Sequence, residues 1–117
     1  SRLNEIVNLM GPDVLPEDQK LVMEIAKVVR VGYLQQNAFH KDDTYVPLAK
    51  QLKMMDVILY LNKKCQEAVA QGKVVRAISE TGIFEQLIKM KYDIPNDHIE
   101  KLDTYYQDID IALKSVA

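Results

Sequence analysis

Apolar residues recur at intervals of three and four positions through most of the chain, the spacing that places side chains on one face of an α-helix. The first such run begins almost at the first residue and ends at Gly11-Pro12, a glycine–proline pair that stops a helix. A helix with no lead-in and no initiator Met predicts that the chain is a piece of a longer protein. A complete small protein with a processed or tag-derived terminus is the alternative. The run consists of Leu3, Ile6, Val7 and Met10.

A second helix is predicted over residues 16–34. Pro16 fits the first helical position, where its missing N–H has no intrahelical partner. Glu17 and Asp18 suit the positive end of the helix dipole. The apolar face is wide, which is typical of a helix packed on two neighbours. Its two stripes are Leu21, Ile25 and Val28, and beside them Val22, Val29 and Tyr33.

The longest predicted helix runs from Pro47 to about Gln71, where Gly72 ends it. At 1.5 Å per residue it is roughly 36 Å long, so we expect it to be the central strut of the domain. Two adjacent apolar stripes follow it, and the stripe that contains Cys65 is expected to face inward. The stripes are Leu48, Leu52, Met55 and Leu59 on one side, and Met54, Ile58, Leu61, Cys65 and Ala68 on the adjacent side.

The pattern is weaker after Gly72, where two short helices are predicted at 74–79 and 83–91, the second ended by Pro95. Asp97 and Glu100 have the spacing of a capping box for a last amphipathic helix. The apolar positions of this last helix are Ile99, Leu102, Tyr106, Ile109, Leu113 and Val116.

No segment shows the period of two that predicts a strand. The predicted fold class is therefore all-α, a helical bundle of four main helices plus one or two short helices. At 117 residues the chain is long enough for one core, so a single domain over residues 1–117 is expected.

Composition changes this picture little. Apolar residues make up 48% and charged residues 27%, as in ordinary globular proteins. The net charge of −2 gives no basic surface, so nucleic acid is not an expected partner. No apolar run reaches the roughly 20 residues that span a bilayer, so the domain is expected to be soluble, with no direct membrane insertion. The single Cys65 favours a reducing compartment.

Signatures of catalysis are missing from the sequence. It contains no Gly-rich phosphate loop, no Ser-His-Asp signature and no Cys and His at metal-ligand spacing. His40 with Asp42 and Asp43 offers possible metal ligands, but adjacent acids in loops are usually solvated. Cys65 is interpreted as a small core residue, and His98 as an exposed structural one. No catalytic residue and no metal site are predicted.

Two other stretches are explained neither by core packing nor by solvation. GPDVLPED at 11–18 is an acidic turn between two helices, and LQQNAF at 34–39 presents an aromatic ring together with three amides. A Phe in such a loop can also pack into the end of the bundle, and amides can cap helix ends.

The order of four elements is specific. GPDVLPED at 11–18, YLQQNAFH at 33–40, DTY at 43–45 and KQ at 50–51 together resemble the C-terminal region of the catalytic A subunit of archaeal (A-type) and vacuolar (V-type) rotary ATPases. The resemblance is dense over residues 1–60 and weaker to about residue 91. Val46 departs from it, because many relatives have Cys after DTY.

The resemblance implies roles for both stretches. The loop would form the adenine side of the nucleotide pocket in the parent protein, through Gln35, Gln36, Asn37, Ala38 and Phe39. The turn would contact the central rotating stalk, through Asp13, Val14, Leu15, Pro16, Glu17 and Asp18.

The turn also looks like the DELSEED turn of the related β subunit of F-type ATP synthase. Val14, Pro16 and Gln19 replace acidic or Ser positions of that motif, which dilutes the negative charge. A purely electrostatic coupling role is therefore not expected.

The same resemblance implies an ATP-forming or ATP-driven rotary machine that moves protons or sodium ions. ATP or ADP and Mg²⁺ would be held by a preceding nucleotide-binding domain, so this chain alone would hold no cofactor and be inactive. Its partners would be the non-catalytic B subunit and the central stalk, on the cytoplasmic face of a membrane. The alternative is a self-contained helical interaction module with no nucleotide role.

Overall fold

Helices begin and end close to the prolines and glycines of the sequence in this computed structural model, which describes residues 14–34 and 45–117. Pro16 and Pro47 stand at the N-caps of the first two helices. Gly72 (φ 95°) follows the long helix, and Gly82 (φ 84°) precedes the next long one. The α-helices are α1 (Glu17–Lys27), α2 (Leu48–Ala70), α3 (Val75–Glu80), α4 (Ile83–Asp93) and α5 (Thr104–Lys114).

The all-α prediction is confirmed, since the described residues form helices and no strand. The helix predicted at the start of the chain lies outside the described residues. Within the described ranges, no helix is both long and apolar enough to cross a bilayer.

α1 continues directly into a π-helix, Val28–Leu34, which the sequence pattern does not predict. The described part of this helix reaches Leu34, and the residues at which it is predicted to give way to a loop lie outside the described range. Gly32 is buried in the π-helix and lies against α4, where an added Cβ would be only 2.9 Å from the Cα of Ile88. Glycine is therefore required for this close approach of two backbones.

α2 turns only one of its two apolar stripes to the core. The stripe that contains Cys65 is buried, as predicted. Three of the four residues of the adjacent stripe face outward, with Leu48 exposed by 68%, Leu52 by 63% and Leu59 by 58%, whereas Met55 is half-buried. The buried residues of α2 are Lys50, Met54, Val57, Ile58, Leu61, Cys65 and Ala68.

The last helix does not begin with the predicted capping box. A 3₁₀-helix, Ile99–Asp103, precedes α5, its N-cap is His98, and no side chain caps it. The capping-box prediction is wrong because the chain enters through a tighter turn, in which the Glu100 carboxylate lies 3.3 Å from Nδ1 of His98. Asp97 is exposed and does not cap the helix.

Polar contacts hold α5, the last helix, against the long helix α2. The phenol of Tyr60 on α2 donates to Asp110 on α5 at 2.7 Å, and the phenol of Tyr106 donates to Asp56. The two tyrosine rings meet edge to face with centroids 5.1 Å apart. Aromatic pairs with this geometry stabilise packing beyond their area alone. α5 is therefore held to α2 by oriented contacts as well as by the core.

Candidate functional site

The acidic turn is only partly exposed. Val14 is 53% exposed, and Pro16 and Asp18 also face solvent. Leu15, by contrast, is only 4% exposed, so its side chain is covered by this chain itself. Asp13 lies outside the described residues. Among the described residues of the turn, the exposed surface is therefore carried by Val14, Pro16 and Asp18.

Glu17 is directed into the chain's own structure. Its Oε1 accepts a 2.7 Å hydrogen bond from the backbone N–H of Val75, and Lys20 lies 3.0 Å from its Oε2. The hydrogen bond from Val75, followed by that from Lys20, lowers the pKa of the Glu17 carboxyl below its usual range. A lowered pKa keeps the group ionised, as a helix N-terminus prefers. Glu17 therefore ties the turn to α3.

The five residues predicted to contact adenine, Gln35 to Phe39, lie in the segment 35–44 outside the described residues. The structure does show the chain on both sides of this segment. Before the segment comes the π-helix, in which Gly32 packs against Ile88 of α4. After the segment come Tyr45, Val46 and Pro47, which lead into α2.

Two side-chain amides form hydrogen bonds with the backbone that follows the segment 35–44. Nδ2 of Asn96 donates to the carbonyl oxygen of Tyr45 at 2.8 Å, and Nε2 of Gln51 donates to that of Val46, also at 2.8 Å. Tyr45 itself is 71% exposed, so its main chain rather than its ring is what the protein holds. These bonds fix the backbone just where the segment 35–44 ends.

Lys50 is fully buried and is linked to the backbone of Tyr45 through Asn96. Its Nζ donates to the carbonyl oxygens of Lys91 at 2.7 Å and Ile94 at 2.6 Å, and to Oδ1 of Asn96 at 2.8 Å. Lysine is rarely fully buried unless it is paired. The carbonyls it reaches lie at the C-terminal end of α4, where helix carbonyls lack intrahelical partners and a cation is favoured.

Neither Lys50 nor Asn96 is predicted from the sequence to be part of a site. Lys50 and Gln51 belong to the resemblance, but a lysine is placed in solvent by default and its burial has no sequence signal. Asn96 stands in the PND turn after α4, where an amide predicts only a local turn.

Two further candidates lie within the described residues, Cys65 and His98. Burial raises the pKa of the Cys65 thiol to about 12, which disfavours the nucleophilic thiolate. His98 is exposed, as expected. Among the described residues, no group of three or more His, Cys, Asp or Glu is placed to hold a metal ion. His40, Asp42 and Asp43 lie outside them.

Known proteins match the chain over most of its length. The family described as the C-terminal domain of V and A type ATP synthase matches residues 1–78. The V-type ATP synthase alpha chain 2 of Clostridium tetani is 45% identical, over 93% of this chain and 20% of the relative. The A subunit of the A-type ATP synthase of Methanopyrus kandleri is 42% identical, over 94% of this chain and 19% of the relative.

A third relative, the V-type ATP synthase alpha chain of Halothermothrix orenii, is 39% identical over 86% of this chain and 17% of its own length. The chain thus spans about a fifth of the length of the curated relatives it matches. The family match covers well over half of the chain and includes both the acidic turn and the loop. The chain belongs to the family of C-terminal domains of V and A type ATP synthases.

Proposed function

We propose that this chain is the C-terminal domain of the catalytic A (alpha) subunit of an ion-translocating rotary ATP synthase. The observation that carries the proposal is the family match over residues 1–78, which contains both candidate segments, 13–18 and 35–39. The match to relatives named as the alpha chain or the A subunit supports the catalytic subunit. The family match also argues against a self-contained interaction module.

In this proposal the parent protein carries out ATP synthesis or hydrolysis with Mg²⁺, and the chain supplies neither phosphate nor metal contacts. Phosphoryl transfer is catalysed by groups that position and neutralise the phosphates, and those belong to a preceding nucleotide-binding domain. The gene's reading frame tests this part directly. It should contain a GxxxxGK[ST] loop several hundred residues upstream, and a frame that starts near Ser1 would contradict the proposal.

The loop Gln35 to Phe39 would form the adenine side of the pocket. Phe39 offers a flat apolar face for the purine, and Ala38 is small enough to let the base approach. The amides of Gln36 and Asn37 can donate and accept at the polar edge of the base. The hydrogen bonds to Tyr45 and Val46 fix the backbone that follows the segment 35–44.

Substitution of Phe39 tests the adenine contact. In the assembled enzyme, Phe39→Ala should raise the KM for ATP roughly tenfold to a hundredfold, since stacking of a base on an aromatic ring contributes roughly 1–3 kcal/mol. Phe39→Tyr is the matched control, because it keeps the flat ring and should keep KM near the wild-type value. An unchanged KM in Phe39→Ala would assign Phe39 to packing alone.

The acidic turn would contact the central stalk. Packed helices move as units, so an exposed turn at the start of α1 is suited to transmit a hinge motion. Its exposed surface is formed by Val14, Pro16 and Asp18. In the sequence, Asp13 precedes them and contributes a further negative charge. The burial of Leu15 and the bond from Glu17 to α3 assign these two residues to holding the shape of the turn.

Cysteine cross-linking in the assembled complex tests the turn. Val14→Cys and Asp18→Cys should form products with a stalk protein, whereas Leu15→Cys should react slowly because its side chain is covered. The native Cys65 is buried and gives a low background. Absence of a stalk product at every position from 13 to 18 would refute the contact.

The remaining partners follow from the same assignment. The domain would lie against the non-catalytic B subunit, on the cytoplasmic face of a membrane, through the parent complex. Purification of the full-length catalytic protein from its own membranes tests this. Failure of the B subunit to co-purify with it would contradict the assignment.

A further inference from the structure

The outer stripe of α2 (Leu48, Leu52, Met55 and Leu59) is an apolar surface that the described residues leave largely uncovered. Its three leucines are 58–68% exposed, and Met55 is half-buried. Contiguous apolar surfaces on globular proteins commonly mark contacts with a partner. Packing within the described fold does not account for the three leucines.

The spacing of the outer stripe indicates what kind of partner fits it. Its successive members are separated by four, three and four residues, and the same alternation continues through Asn62 to Gln66. Positions that repeat every 3.5 residues form the seam along which two helices pack. At 1.5 Å per residue, the seam from Leu48 to Gln66 is roughly 27 Å long. None of its six residues is charged, so the matching partner is a helix with an uncharged, mainly apolar face.

One end of this seam meets the acidic turn. A cleft of about 350 Å³ between α1 and α2 is lined by Asp18 and Val22 on one side and by Asn62, Gln66 and Val69 on the other. Asp18 belongs to the exposed surface of the turn, and Val22 on α1 is 56% exposed. Because Asn62 and Gln66 are the last two positions of the seam, the turn, the cleft and the outer stripe form one continuous surface.

The small size of the turn requires a larger contact around it. Among its described residues, only Val14, Pro16 and Asp18 are exposed. A specific interface involves roughly 20–30 residues a side, so the turn alone is too small to hold a partner. A second copy of the chain paired through the outer stripe alone would also be too small, because each copy would bury only four apolar side chains.

We propose that a helix of the central-stalk protein lies along the seam of α2, with the acidic turn at one end of the contact. This inference rests on the proposed contact of the turn with the stalk, and it adds the outer stripe as the surface that holds the partner. It predicts that the stalk helix presents apolar residues at alternating intervals of three and four.

Photo-cross-linking in the assembled complex tests the proposal. A maleimide–benzophenone probe attached to Leu52→Cys or Leu59→Cys of the full-length catalytic protein should give a product with a stalk protein. Ile111→Cys is the matched control, because Ile111 on α5 is 58% exposed, as Leu59 is, and lies outside the seam. It should give no stalk product. The native Cys65 is buried and gives a low background.

Mass spectrometry of the cross-linked peptides identifies what covers the outer stripe. A product between two catalytic proteins would show that a second copy covers it, and a product with residues 1–13 would show that the chain covers itself. Either result would overturn the inference, as would the absence of any product from both positions.

Truncation of one leucine gives a quantitative readout. Leu52→Ala should weaken binding of the stalk protein to a complex assembled without it about tenfold, as expected when three buried carbon groups are lost from an interface. Its melting temperature should stay close to wild type, because Leu52 lies outside the core. Ile111→Ala should change neither quantity. A stalk affinity in Leu52→Ala equal to that of the wild type would contradict the proposal.

Failure of this inference is distinguishable from failure of the proposed function. If Val14→Cys and Asp18→Cys give stalk products but Leu52→Cys and Leu59→Cys do not, the turn contacts the stalk and the outer stripe does not. If no position from 13 to 18 gives a stalk product, the proposed contact of the turn fails and the inference fails with it.

Discussion

The carboxylate of Glu17 accepts a 2.7 Å hydrogen bond from the backbone N–H of Val75, 58 residues further along the chain. Val75 is the first residue of α3, a helix of six residues whose own N-cap, Val74, offers no side-chain cap. The first N–H groups of any helix lack intrahelical acceptors. Glu17 supplies one from a distant element, and this fixes the acidic turn and α3 relative to each other.

Removal of this acceptor should lower stability. We expect Glu17→Ala to reduce the free energy of unfolding by about 0.5–1 kcal/mol, the lower part of the range for lost helix caps, because the carboxylate remains partly in water. Glu80→Ala is the control on the same helix. It removes an exposed ion pair with Arg76, and such pairs contribute little. Urea unfolding of the two variants beside the wild type measures the difference.

The same contact predicts a pH dependence. Because the folded-state pKa of Glu17 is lowered from 4.5, its stabilisation is fully present above about pH 4.5 and is lost as the pH falls through the lower folded value. The stability difference between wild type and Glu17→Ala should therefore shrink in acid. A difference that stays constant from pH 7 to pH 3 would show that the carboxylate is not the stabilising group.

Gly32→Ala should disturb the packing of the π-helix on α4. The new Cβ would lie 2.9 Å from Cα of Ile88 and 3.2 Å from its carbonyl oxygen, closer than such atoms pack. Overpacking of this kind costs about 1–3 kcal/mol. Truncation of the neighbouring side chain in Gly32→Ala/Ile88→Ala should not restore stability, because the clash is with main-chain atoms. Thermal unfolding of single and double variants decides this.

Alkaline conditions should weaken the contact between α2 and α5. The hydrogen bond to Asp110 raises the pKa of the Tyr60 phenol, and burial, followed by the hydrogen bond to Asp56, raises that of Tyr106. A raised folded pKa means that the stabilisation is present below the unfolded value near 10 and is lost as the pH rises through the folded value. We expect stability to fall from about pH 10 upward, less steeply in Tyr60→Phe. The exposed Tyr45→Phe is the control and should follow the wild type.

The isolated chain should not hydrolyse ATP. It contains no phosphate loop, and the loop Gln35 to Phe39 alone would bind ATP no better than about millimolar, near −4 kcal/mol. Phosphate release with Mg²⁺ and ATP measures this. Magnesium-dependent turnover that a substitution within the chain abolishes would contradict it.

Much of the fold could be predicted because local chemistry determines it. Pro16, Pro47, Gly72 and Gly82 act through their own backbones, so helix boundaries close to them are visible in the sequence. The choice between the two stripes of α2 is different, since Leu52 and Ile58 are equally apolar. Only the positions of neighbouring helices decide which stripe becomes buried, and that information is not local.

The burial of Lys50 and the presence of the π-helix are likewise not predictable from the local sequence. The acceptors of Lys50 are the carbonyls of Lys91 and Ile94, more than 40 residues away, and no helical period connects them. The π-helical turns around Gly32 coincide with a close contact to α4. Local helix propensity does not predict a contact with a distant segment. In the candidate site, the sequence does not separate the buried members of the acidic turn from the exposed ones, and the role of Gln35 to Phe39 stays a prediction.

The π-helix has a consequence for evolution by insertion and deletion. Its hydrogen bonds span one more residue per turn than those of an α-helix. Loss of a single residue between Val28 and Leu34 would let the stretch close as ordinary α-helix, and because the wider turns already absorb one extra residue, the orientation at the end of the helix would change little. A lineage can therefore lose one residue here by converting the stretch to α-helix, whereas the same loss within α2 would rotate everything after it by about 100° around the helix axis.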